Sequence, residues 1–141
     1  MARLTMEDRV AIEDLFVRYA CALDEGDAET VVACFAQDAS LESPAIGKRT
    51  GRAAIREFAE RFARYRQGGA QLRHVISNLR MQIDGDRARA QCYLTAFLTR
   101  HGQSRLLPPG HYDCDLVNVD GEWLFERRVV VHDHEYELEG L

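Results

Sequence analysis

The feature that most constrains this chain is a single change of hydrophobic period. Up to Gly68-Gly69 apolar residues recur at helical spacing, and beyond it the chain runs in long strand-like segments cut by tight turns. Ile12, Leu15, Phe16, Tyr19 and Leu23 share one face of a first helix that Thr5 can cap and Asp8 supplies with first-turn charge. Asp24-Glu25-Gly26-Asp27 breaks it. Gly26 suits a left-handed helix end, and Asp27 can cap a second helix running through Val31, Val32 and Phe35. Between Ala39 and Gly51 the helical pattern lapses, and Pro44 and Gly47 predict two short strands around a turn. Ile55, Phe58, Ala59, Phe62 and Tyr65 mark a third helix.

The remainder predicts sheet. One strand runs from Arg73 to Ile83 and another from Arg87 to Arg100, joined by Asp84-Gly85-Asp86. Pro108-Pro109-Gly110 precedes a strand from His111 to Val119, and Asp120-Gly121 turns into a last strand from Glu122 to about His132. Three helices with a small hairpin, then an antiparallel meander, predict an α+β layout with helices on one face of a curved sheet. Residues 1–141 read as one domain, long enough to bury a core and a small pocket.

Bulk chemistry narrows the partners. Net charge is −5 with scattered basic residues, so the basic face a phosphate backbone needs is absent. No apolar run approaches the roughly 20 residues that span a bilayer, and MARLTMEDRV is no signal peptide. Cys21, Cys34, Cys92 and Cys114 show no metal-ligand spacing; Cys21, Cys34 and Cys92 lie among apolar residues as small core side chains do. The expectation is a cytoplasmic protein with reduced thiols. Apolar residues on both alternating sets of the long strands, such as Ala90, Cys92 and Leu94 against Tyr93 and Phe97, predict a sheet covered on both sides. Helices cover one side, so a homodimer or higher homo-oligomer covers the other.

Several polar residues fall where burial is costly without a partner, which is where acid–base chemistry is usually carried out. Asp24 lies in the last turn of its helix, where the macrodipole disfavours negative charge unless a cation answers it. His74 opens a strand; alone it reads as structural, but a carboxylate on one ring nitrogen would leave the other as a base. Tyr19 is either a core tyrosine or a donor to a developing oxyanion, and Tyr93 and Tyr112 are candidates of the same kind. Strict alternation puts Trp123, Phe125 and Arg127 on one face of the last strand and Leu124, Glu126, Arg128 and His132 on the other, unless a bulge switches them. A salt bridge to Glu126 or Asp115 is the structural alternative for either arginine. His132-Asp133-His134 has no third or fourth ligand at a recognisable spacing, so it reads as a polar chain end and no metal is expected. With no glycine-rich phosphate loop, nucleophile elbow or Cys–His signature, no cofactor is expected either.

An ordered set of segments resembles the SnoaL-like branch of the nuclear transport factor 2-like superfamily, small α+β cone proteins. It comprises Ala11-Ile12-Glu13-Asp14-Leu15 with Tyr19, Leu23 to Asp27, and Phe35 to Ala39. Gly51 with Ala54 to Phe58, Arg73-His74 with Asn78, Gly110 to Asp113, and Gly121 to Phe125 with Arg127-Arg128 complete it. The resemblance is closest to lyases and isomerases of the scytalone dehydratase, bile-acid 7α-dehydratase and dehydrochlorinase type. It implies a cone-shaped α+β barrel and, by position, His74 and Asp24 as an acid–histidine pair, Tyr19 one turn earlier and Arg128 on the last strand. The implied activity is a cofactor-independent lyase or isomerase acting on a small, largely apolar cyclic or aromatic metabolite. Phe16, Phe35, Phe58, Phe62, Tyr93 and Tyr112 would contact the substrate. The superfamily also contains non-catalytic small-molecule binders and accessory subunits of aromatic-ring dioxygenases, which stand as the alternatives.

Overall fold

The computed structural model describes residues 5–141; the first four residues of MARLTMEDRV, and with them the start of the expected domain, lie outside the described residues. Helix α1 (Met6–Glu25) begins where the Thr5 hydroxyl accepts from the Asp8 N–H at 3.0 Å and ends at Gly26, with φ 75°. Its buried face carries Ile12, Leu15, Phe16, Tyr19 and Leu23. Helix α2 (Ala28–Ala33) is capped by Asp27 through the Thr30 N–H at 3.1 Å. It stops before Phe35, which the apolar spacing had placed on it. Phe35 instead opens strand β1 (Phe35–Ser43), because the Phe125 N–H donates to the Cys34 carbonyl at 2.8 Å and draws the chain into the sheet. Strand β2 (Gly47–Thr50) and helix α3 (Arg52–Gln67) follow.

The second half is β3 (Gln71–Asp84), β4 (Arg87–Arg100), β5 (Gln103–Leu106), β6 (Gly110–Val119) and β7 (Glu122–His132). Three helices pack on a curved, mixed sheet in the order β2-β1-β7-β6-β4-β3, with β5 added to β4. The meander is antiparallel as expected, but β1 joins β7 in parallel and hangs the β1–β2 hairpin on its edge. Strand β5, which the periodicity did not predict, is exposed throughout and carries no alternation to read. It forms because His101 and Gly102 both take positive φ, the mirror-image turn that matches strand twist.

One irregularity matters most for the interior. On β7, Arg127 lies opposite Asp115 but Phe125 lies opposite Leu116, so Glu126 is an extra residue in a bulge. Phe125 and Arg128, which strict alternation separates, therefore both face inward and are fully buried. Phe125 packs edge-to-face on Phe16 with ring centroids 5.1 Å apart, a contact worth about 0.5–1.5 kcal/mol beyond its buried area. Cys34, Cys92 and Cys114 are buried, whereas Cys21, expected in the core, is exposed on the outer side of α1. Among the described residues no helix is long and apolar enough to cross a membrane.

Candidate active site

The end of α1 and the start of β3 meet at the wall of an inner cavity. Strand β3 is a sheet edge, so its outward backbone donors lack a neighbouring strand. One of them is taken by Asp24: the His74 N–H donates to Asp24 Oδ2 at 2.8 Å. The imidazole Nδ1 lies 2.5 Å from Asp24 Oδ1, with both side chains about nine-tenths buried. A carboxylate only accepts, so Nδ1 carries the proton and a neutral ring keeps Nε2 as its lone-pair nitrogen. Gln71 Nε2 adds a bond to the Asp24 carbonyl at 2.9 Å, tying the helix terminus to the strand. The pair is held at two points and cannot easily rotate away.

Arg128 is placed differently from expectation. Its side chain is fully buried, and its guanidinium carbon lies 3.9 Å from the Tyr19 ring centroid and 3.7 Å from that of Tyr112. Phe125 and Phe16 complete the aromatic box at 4.8 and 5.7 Å. Among the described residues its one hydrogen bond goes to Cys114 Sγ at 3.7 Å, and Nε and Nη2 have no partner. Arg128 does not line the cavity; Tyr19 and Tyr112 do, and their rings lie against the cation. Burial pushes the phenols of Tyr19 and Tyr112 up, against the opposing pull of the Arg128 charge. Burial likewise lifts the Cys92 thiol to about 11 and Cys114 to about 12, so neither offers a thiolate at neutral pH. Arg127 faces outward and pairs with Asp115 at 3.3 Å and Asp113 at 3.7 Å.

The cavity has a volume of about 50 Å³. Phe58, Phe62, Leu23, Leu72 and Leu94 make its wall apolar. Phe16 and Phe35 are fully buried and do not line it; they pack beneath Tyr19 and Phe125. Tyr93 is corrected outright: it alternates with Cys92 and Leu94 on β4, and so stands on the outer face with 57% of its surface exposed.

Several lining residues were not anticipated. His132, read as part of a polar chain end, lines the cavity, as does Val130 two residues before it. Their parity with Arg128 was the available signal. Tyr136 and Leu138, from the segment after β7, fold back across the cavity, an arrangement no periodicity could announce. That segment is tied down by Tyr65 Oη and Arg100 Nη1, each 3.1 Å from the Glu139 carbonyl. Among the described residues no group of three or more His, Cys, Asp or Glu side chains could hold a metal ion.

Comparison with known proteins agrees with this architecture. A Mycobacterium tuberculosis protein of uncharacterised function is 26% identical over 133 residues, 88% of this chain and 84% of that one. The structure of a variant of another M. tuberculosis protein of unknown function superposes with a TM-score of 0.83 at 27% identity, covering 92% of this chain and 73% of the other. A Catenulispora acidiphila protein solved in complex with S-DNPA gives a TM-score of 0.80 at 25% identity over 92% of this chain and 96% of the other. The SnoaL-like domain profile matches residues 4–129, nearly the whole chain, and with the three helices on a curved sheet this places the chain in the SnoaL-like domain family.

Proposed function

We propose that the protein is a cofactor-independent lyase or isomerase of the dehydratase type, acting on a small, largely apolar cyclic or aromatic compound. The observation that carries this reading is the Asp24–His74 pair set in the wall of an apolar cavity. In the dehydratase form, His74 Nε2 takes a proton from a carbon next to an activating group. The electron pair forms a new C=C bond and the C–O bond on the neighbouring carbon breaks. The departing oxygen takes the proton back from the imidazolium and leaves as water. Asp24 orients the ring and balances its charge while the proton is held. Tyr19 donates a hydrogen bond to the oxygen that gains charge, and the Arg128 cation beneath its ring favours that charge. An isomerase would return the same proton to a different carbon.

The Catenulispora protein solved in complex with S-DNPA supports a ligand-holding role for this fold. The outer sheet face supports assembly with a second copy: Val75, Tyr93, Phe97, Leu106 and Val131 are all exposed there, a patch larger than scattered surface residues make. The three buried, unpaired thiols suit a cytoplasmic protein.

Steady-state kinetics of single and double variants test the reading. His74→Ala lowers kcat by roughly 10²–10⁴-fold, the usual worth of a positioned base. Asp24→Asn also lowers kcat, and the double variant loses far less than the product of the two because the residues act as a unit. If both single variants stay fully active on the substrate, the pair is structural and the cavity is a binding site without chemistry.

A further inference from the structure

The cavity contains a second imidazole, built into place by a different segment. His132 ends β7 opposite Gly110. A Cβ on Gly110 would lie 2.1 Å from the Val131 carbonyl oxygen and 3.0 Å from His132 Cα, so only glycine lets the start of β6 approach the end of β7 this closely. The preceding prolines complete the cradle: the Asp133 N–H donates to the Pro109 carbonyl at 2.9 Å, and His132 Nδ1 lies 3.3 Å from the Pro108 carbonyl. The Tyr136 ring stands edge-on to the imidazole, with centroids 4.8 Å apart.

A carbonyl oxygen only accepts, so the Pro108 contact puts the proton on Nδ1 and leaves Nε2 as an acceptor. Burial lowers the pKa of His132 against the opposing pull of that carbonyl and of Asp133, and nearby His74 lowers it further, which favours the neutral ring. His74 is backed by a carboxylate and His132 by a neutral carbonyl. The first is equipped to take a proton from carbon; the second can hold a hydrogen bond but has no carboxylate bonded to its ring, only the more distant pull of Asp133.

We infer that His132 Nε2 is a second hydrogen-bond acceptor of the cavity, beside His74 Nε2, for a hydroxyl or N–H on the bound compound, so that the substrate is an otherwise apolar ring carrying a donor. This rests on the reading that the cavity holds the substrate, and it makes His132 a specificity-determining residue apart from the dyad. A substrate ring that lacks the donor would leave the acceptor dry and unpaired, which costs affinity.

Phenol and toluene, nearly identical in shape, differ in this donor. Their dissociation constants are measured by titration calorimetry on the parent, His132→Phe, His132→Gln and His74→Phe. The expected result is that the phenol-to-toluene affinity ratio falls about tenfold in His132→Phe, as for one lost hydrogen bond, and survives in His132→Gln, whose amide oxygen can accept. In the parent, phenol but not toluene moves the ¹⁵N resonance of His132 Nε2, a readout independent of how the variants fold. A ratio unchanged in His132→Phe, a ratio lost only in His74→Phe, a stationary Nε2 resonance, or a parent that binds neither probe would each overturn the inference. These are binding measurements, so kinetic failure of the Asp24–His74 pair would sink the lyase reading and leave this result standing.

Discussion

Two buried polar groups lie within one interior, and the fold treats them in opposite ways. Asp24 and His74 satisfy each other: the carboxylate receives a ring N–H and a backbone N–H, and the imidazole keeps one nitrogen for the cavity. Among the described residues Arg128 has no anion partner at all. It is enclosed by aromatic faces, with two of its nitrogens unpartnered. Ring quadrupoles offset part of the desolvation cost, at about 2 kcal/mol or more per desolvated contact, and they leave the charge fixed. The first arrangement can gain and lose a proton; the second can only supply a constant field. That contrast supports the proposal of proton transfer at one and charge stabilisation at the other.

The largest expected effect separates the two on turnover. His74→Ala costs roughly 10²–10⁴-fold in kcat, whereas Tyr112→Phe, which keeps a ring over Arg128 and loses only a hydroxyl, costs about tenfold or less. Equal losses would erase the distinction. Next is stability. Arg128→Lys replaces a planar, weakly hydrated cation with a compact, strongly hydrated one in the same box, and is expected to destabilise by about 2–3 kcal/mol in urea titration. Arg128→Met removes the buried charge at similar volume and is expected to cost under about 1.5 kcal/mol. If lysine is tolerated better than methionine, the aromatic box is not what holds the charge.

Away from the cavity the effects shrink. Tyr93→Lys on the outer sheet face is expected to turn the assembly monomeric by light scattering at micromolar concentration, with the dyad untouched. A parent that is already monomeric would refute the assembly. The smallest effect concerns acid stability. Burial works to raise the carboxyl of Asp113, but Arg89, Gln91 and Arg127 outweigh it and hold it below its ordinary value of 3.8. Since the folded value is the lower one, its stabilisation is present above the unfolded value and is lost as pH falls through the folded one. Asp113→Asn should flatten stability below about pH 4 by no more than about 1 kcal/mol, as for a screened surface network.

What the sequence disclosed divides along the same physical line. The caps at Thr5 and Asp27, the stop at Gly26 and the 14-residue β4 were legible because they rest on local chemistry and strict period. The proximity of Asp24 and His74 came from resemblance alone, since nothing local links residues fifty positions apart. The position of Arg128 was hidden by the extra residue at Glu126, because a bulge inverts parity without a composition signal. Strand β5 was missed because an exposed edge needs no apolar alternation, and Phe35 was misassigned because parallel pairing to β7 overrides a helical spacing. His132 was visible by parity, but its place depends on backbone approach at Gly110, which no sequence pattern encodes.

The contrast between the two buried groups rests on His74 keeping an unprotonated nitrogen towards the cavity. ¹⁵N NMR of the histidine side chains at mildly alkaline pH, for the parent and Asp24→Asn, reads this without any substrate. Neutral His74 is expected to carry its proton on Nδ1, with Nε2 bare, and Asp24→Asn is expected to mix the two tautomers. A parent His74 protonated on Nε2 would contradict it, because the base would then point its lone pair at the carboxylate and not at the substrate.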